Sequence, residues 1–153
     1  MAVPVVTTGN PLKVAHLRGP FQRVELPCNG NIYPGQLVQE AAGGVVVHST
    51  AGGFAELMFA EDDGLEGTDY ETQYTAGIGN IPLSIEQRGN LVNVVLLAGS
   101  NYTAGTKLIS DGAGNLKPTT GSPSQIIAVI PAAYAINLSA SGTGNTLCPV
   151  RIL

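Results

Sequence analysis

The sequence has no tryptophan, three phenylalanines, five tyrosines, two cysteines and only seven lysines and arginines in 153 residues. Each shortage excludes a class of function. So few aromatics leave no stacking platform for single-stranded nucleic acid. Seven scattered basic residues and a net charge of -4 leave no cluster to neutralise phosphates, so no direct nucleic-acid partner is expected. Cys28 and Cys148 do not form a disulfide framework, and the sequence leaves their pairing open. The most apolar run, residues 126–136, is broken by Pro131 and is far shorter than the roughly 20 residues of a membrane-spanning helix. No membrane partner is expected. The first residues, Met1-Ala2-Val3-Pro4-Val5-Val6, lack the basic and long apolar regions of a secretory signal, which predicts a protein retained where it is made.

Against these shortages stand 20 glycines and 10 prolines, with hydrophobic residues at 44% and charged residues at 12%. The surface must be covered largely by Ser, Thr, Asn, Gln, Gly and small apolar side chains, which suits many lasting contacts. Glycine and proline interrupt the chain too often for a stable helix. Period-two alternation and β-branched residues predict strands at 36–39, 45–49, 81–87, 92–97, 107–110, 125–130 and 149–153. Residues 42–44, 88–90 and 111–115 read as turns. The expectation is an all-β protein, one small β-sandwich or β-barrel domain of short antiparallel strands over residues 21–153, preceded by an extended N-terminal arm over residues 1–20. A faint internal echo links Tyr33-Pro34-Gly35-Gln36-Leu37-Val38 with Tyr102-Thr103-Ala104-Gly105-Thr106-Lys107-Leu108-Ile109. It reads as a turn feeding a core strand.

Chemical motifs are mostly absent. Glu56, Glu61, Asp62, Asp63, Glu66, Asp69 and Glu71 cluster around Gly64 and Gly67, but without the alternating oxygen ligands of a calcium loop. A solvated, solubilising connection is the better reading. His16, His48, Cys28 and Cys148 are dispersed, so no metal site is expected. Ser100 follows Gly99 without the rest of a nucleophile elbow and reads as a turn residue. Residues 99–107 miss the glycine spacing of a phosphate loop, and Gly112-Ala113-Gly114 lacks the third glycine of a dinucleotide fingerprint. Asn101-Tyr102-Thr103 and Asn137-Leu138-Ser139 match the glycosylation triplet, which means nothing without secretion. No catalytic residue, cofactor or metal is expected, and the chain is not expected to be an enzyme.

The stretch from Ala60 to Pro118 carries an ordered series: Ala60-Glu61-Asp62-Asp63-Gly64-Leu65-Glu66-Gly67, Tyr74-Thr75-Ala76-Gly77, Leu91-Val92-Asn93-Val94-Val95-Leu96-Leu97-Ala98-Gly99, and Tyr102 through Pro118. This succession resembles the capsid cement, or head decoration, proteins of tailed bacteriophages. Pro34-Gly35-Gln36-Leu37-Val38 and Val150-Arg151-Ile152-Leu153 resemble that family's opening and closing strands. The resemblance implies a small β-rich virion protein, self-associated as a trimer or dimer, on the outer capsid surface. Its implied partner is the major capsid protein, whose subunits it bridges. On that reading the arm residues Val3, Pro4, Val5, Val6 and Pro11 are candidate capsid-interface residues, pairing with a capsid subunit where the prolines permit. Two alternatives stand beside it. One is a carrier or ligand-binding β-barrel module, for which neither Lys107 nor Lys117 has the expected flanking residues. The other is a minor tail or fibre component. A β-sandwich glycan hydrolase would need a second carboxylate site that the single acidic stretch does not offer.

Overall fold

In the computed structural model the described residues are 16–63, 72–140 and 144–153. Strands run in the order β1 (His16–Arg18), β2 (Phe21–Pro27), β3 (Val38–Ala41), β4 (Gly44–Val47), β5 (Met58–Ala60), β6 (Asn80–Glu86), β7 (Leu91–Leu96), β8 (Asn101–Tyr102), β9 (Lys107–Ser110), β10 (Leu116–Pro118), β11 (Ala128–Val129), β12 (Ile136–Asn137) and β13 (Thr146–Ile152). Among the described residues there is one 3₁₀ turn, Ala132–Tyr134, and no α-helix.

The all-β expectation holds, and the architecture is a barrel. The neighbours β7, β10, β9, β11 and β13 close on themselves, because β13 also pairs with β7. Closure removes the open edges a sandwich would keep. The strands are not uniformly antiparallel, since β10 meets β7 in parallel at Leu116 and Leu96. That pairing spans too little chain to show as a pattern in either segment. One edge of β7 is shared end to end: β1 pairs at Leu91 and Val92, Val95 N–H donates to Gly35, and β10 takes Leu96. The segment expected as an arm therefore ends, at His16–Arg18, in a strand on the barrel; residues 1–15, with Val3, Pro4, Val5, Val6 and Pro11, lie outside the described residues.

A second layer packs on the barrel. It contains the sheet β2-β6-β5 and the hairpin β3-β4. Its own core is Cys28, Ile32, Val38, Val45, Met58, Ala60, Tyr74, Ile81 and Leu83. Alternation places Phe59, between Met58 and Ala60 on β5, on the opposite face, where it joins Leu37 in the barrel core with Val94, Leu108, Leu116 and Val150. Pro82 sits inside the central strand β6 without breaking it. Its backbone points toward β5 just beyond that strand's end, and its carbonyl accepts from Glu61 N–H at 3.0 Å.

The echo in the sequence is two copies of one turn. Gln36 N–H donates to Tyr33 O at 3.2 Å, and Thr106 N–H to Thr103 O at 3.0 Å. The third residue is glycine at positive φ in both, +85° at Gly35 and +82° at Gly105, the pattern of a type II turn. Their surroundings differ. A Cβ on Gly105 would meet nothing, whereas one on Gly35 would lie 2.4 Å from Leu147 Cδ2, so the first turn is pressed against the barrel wall.

Candidate interaction surface

Three polar joints hold the two layers in register. Gln36 accepts from Tyr33 N–H through Oε1 at 2.8 Å and donates through Nε2 to Ala113 O at 3.2 Å and Asn115 Oδ1 at 3.1 Å. His48 is 2% exposed. Its Nε2 donates to Phe54 O at 2.8 Å, since a carbonyl only accepts, and its Nδ1 faces Ser110 Oγ at 2.7 Å. Asn90 Nδ2 bridges Pro20 O at 2.7 Å and the buried Glu86 carboxylate at 2.5 Å, which closes the β6–β7 connection beside β1.

The His48–Ser110 pair was invisible to motif reading because the two residues lie 62 positions apart. It is a structural joint. Ser110 is fully buried, its hydroxyl also accepts from Gly112 N–H at 3.1 Å, and the far ring nitrogen is held by a backbone carbonyl where a catalytic triad would place a carboxylate.

The tip of the β9–β10 hairpin is organised by Asp111, whose Oδ1 accepts from Ala113 N–H at 2.7 Å and Asn115 N–H at 2.9 Å. No lysine stands at this tip: Lys107 opens β9 and Lys117 lies within β10 opposite Ile109. The lysine geometry of a carrier hairpin is therefore not formed here. Of the acidic residues, Glu56, Glu61, Asp62 and Asp63 are described, while Glu66, Asp69 and Glu71 lie outside the described residues. Among the described residues no group of three or more His, Cys, Asp or Glu is placed to hold a metal ion.

The cysteines sit in different cores and are both free. Cys28 belongs to the second layer, and Cys148 to the barrel. Burial pushes the Cys148 thiol up to about 12, and burial followed by the nearby Asp111 charge raises the Tyr102 phenol well above its ordinary value. Tyr102 donates to Leu97 O at 2.6 Å, which supplies the partner a buried hydroxyl requires.

The two most exposed large apolar side chains among the described residues stand on loops. Phe54 is 78% exposed and Ile78 57%. Beside Phe54 lies a cleft of about 240 Å³ lined by Thr50, Gly52, Ile109, Lys117, Ser122 and Ser124, among others. It offers hydroxyls and one ammonium without a carboxylate, suited to hydrogen bonding with a partner and not to acid–base chemistry. Sequence reading missed both this loop surface and β2. The alternation of Phe21-Gln22-Arg23-Val24-Glu25-Leu26 was the signal available for the strand.

No family model matches the chain, and no curated protein does. Among solved structures, the fold is similar to the head fiber gp8.5 N base in bacteriophage phi29, with a TM-score of 0.53 and 12% identity over 88% of this chain and 95% of that one.

Proposed function

We propose that this chain is a non-enzymatic structural protein of a phage head, which binds the outer surface of the expanded shell and bridges neighbouring major capsid subunits as a cement protein. The observation that carries this reading is the likeness in fold to a head-fibre base across 88% of the chain. The succession of motifs from Ala60 to Pro118 supports it from the sequence side. The weakly charged, hydroxyl-rich surface and the exposed Phe54 and Ile78 fit a role in lasting contact with a large partner.

The mechanism is thermodynamic. A protein that binds a lattice site present only in the expanded shell stabilises that state by mass action and opposes internal pressure. Many modest contacts per shell act multivalently, with the arm residues Val3, Pro4, Val5, Val6 and Pro11 as the segment that lies along a capsid subunit. The test mixes purified protein with shells lacking it, before and after expansion, and reads occupancy and resistance to heat. Saturable binding confined to expanded shells, with a raised disruption temperature, is the expected result. Absence of binding to either form rejects the reading.

The same likeness favours a second reading, the base of a head fibre. Occupancy distinguishes the two: filling of every equivalent lattice site marks a cement protein, and filling of a restricted subset marks a fibre base.

A further inference from the structure

We infer that the outer wall of the barrel is the face this protein turns toward the shell, and that the surface it meets there is rich in carboxylates. The inference rests on the capsid reading and names the face and the chemistry of that contact.

The charges of the chain are divided between its two layers. Residues 87–153, which supply every strand of the ring, hold four basic side chains and one acidic, whereas residues 1–86 hold three basic and ten acidic. The acid of the ring, Asp111, is turned into its own hairpin tip, where it accepts from Ala113 and Asn115 N–H. A protein of net charge -4 thus has a basic half.

Strand pairing gathers cations that lie far apart in the sequence. Leu108, Ala128, Val150 and Val92 belong to the barrel core, so alternation turns Lys107, Val129, Arg151 and Leu91 outward. Lys107 pairs with Val129, Val129 with Arg151, and Arg151 with Leu91, which sets these four in one row across β9, β11, β13 and β7. Arg18 meets the other edge of β7, opposite Leu91. Lys117 stands opposite Ile109, the next residue along this face from Lys107. Neighbouring strands are about 4.8 Å apart, so the row presents a cation roughly every 10 Å with an aliphatic side chain between. Arg18, Lys107 and Arg151 are exposed and Lys117 is half-buried. None of the four makes an ion pair or a side-chain hydrogen bond among the described residues; the Arg23–Glu25 pair lies on the second layer. Beside Lys117 the cleft adds the hydroxyls of Thr120, Ser122 and Ser124.

Unpaired cations separated by aliphatic side chains suit a protein surface bearing carboxylates. Duplex DNA is a poorer match, because each of its strands carries a phosphate about every 3.4 Å along the axis, about three for each cation of the row. A second copy is a poorer match too. The chain is net negative, and Glu61, Asp62 and Asp63 of its acidic stretch already have partners within the chain. The division of charge also orients the encounter, since an acidic shell attracts the ring and repels the second layer.

The test compares two reversals that change net charge equally, Arg151→Glu on the ring wall and Arg23→Glu at an exposed position of the second layer. Occupancy on expanded, DNA-free shells is measured against protein concentration and salt, with the melting temperature as the check on folding. The wild-type chain should bind, and more weakly as salt rises. Arg151→Glu should lower the apparent affinity about tenfold, while Arg23→Glu should leave it within about twofold. Lys107→Glu replaces Arg151→Glu in the comparison if the latter melts early. Equal losses in the two reversals, or no loss in the wall variant, overturn the inference and leave the capsid reading standing. A wild-type chain that binds neither form of shell removes both. Capture of duplex DNA at physiological salt, or self-association in sedimentation, that Arg151→Glu abolishes would assign the wall to another partner and overturn the inference.

Discussion

The barrel and the layer packed on it differ in how they are closed. In the barrel every strand of the ring has two hydrogen-bonded neighbours, and the core contains fully buried Leu96, Tyr102, Leu108 and Leu116. The second layer has a smaller core, in which Val24, Leu26, Val47 and Ile85 are only partly buried, and its sheets do not close on themselves. The difference teaches where stability resides in so small a protein: the ring supplies the rigid body, and the incomplete layer packs on it. Phe59 and Leu37 couple the two, since they arise in the second layer and bury in the ring.

Raising the pH should break the comparison most completely, by attacking the ring from inside. Folded Cys148 holds its proton to about pH 12, against 9.0 as the ordinary value. The stability this group contributes is whole below about pH 9 and is lost between there and about pH 12, as the unfolded thiol ionises and the folded one does not. Tyr102 acts in the same direction. Circular dichroism should show cooperative loss of the fold in this window, with a higher midpoint in Cys148→Ala; an unchanged midpoint would remove Cys148 as a cause.

Phe59→Ala should cost about 3–5 kcal/mol by leaving a cavity between the layers. Urea unfolding should lose its single transition, because the second layer no longer shares the ring's core. A coincident, merely shifted transition would show that the polar joints suffice for coupling. A loss of about 1–3 kcal/mol is expected for His48→Ala, which strands the Phe54 carbonyl and the Ser110 hydroxyl, and hydrogen exchange should rise first at Gly114, whose N–H donates to His48 O at 3.2 Å. The smallest effect belongs to Phe54→Ser. At 78% exposure it should shift stability by less than about 0.5 kcal/mol while lowering occupancy on expanded shells.

The ring's strands were largely legible in the sequence because they alternate or are β-branched: β7 was expected at 92–97 and found at Leu91–Leu96, and β9 falls on the expected residues. β11 was expected over 125–130, but only Ala128 and Val129 are laddered, with Ile127 and Ile130 bonded irregularly to Leu108 and Thr106. β2 escaped because its outward positions carry Arg23 and Glu25, which dilute the apolar alternation of a half-buried strand. The choice of barrel over sandwich rests on the pairings of β13 with β7 and β11, contacts across the chain that no local pattern encodes. The candidate surface was the least legible part: its loops are read by exposure, and the arm residues singled out from the sequence lie outside the described residues.

Ring closure by β13 also sets an order of events during synthesis. β7, β9, β10 and β11 can all leave the ribosome and still lack the strand that joins β11 to β7, because Thr146–Ile152 comes last among them. Until it emerges the nascent chain carries two unpaired edges on an apolar trough, a state prone to pair with its neighbours. The barrel is therefore completed only once β13 has emerged, and the time between the emergence of β7 and that of β13 is when this chain most needs a chaperone.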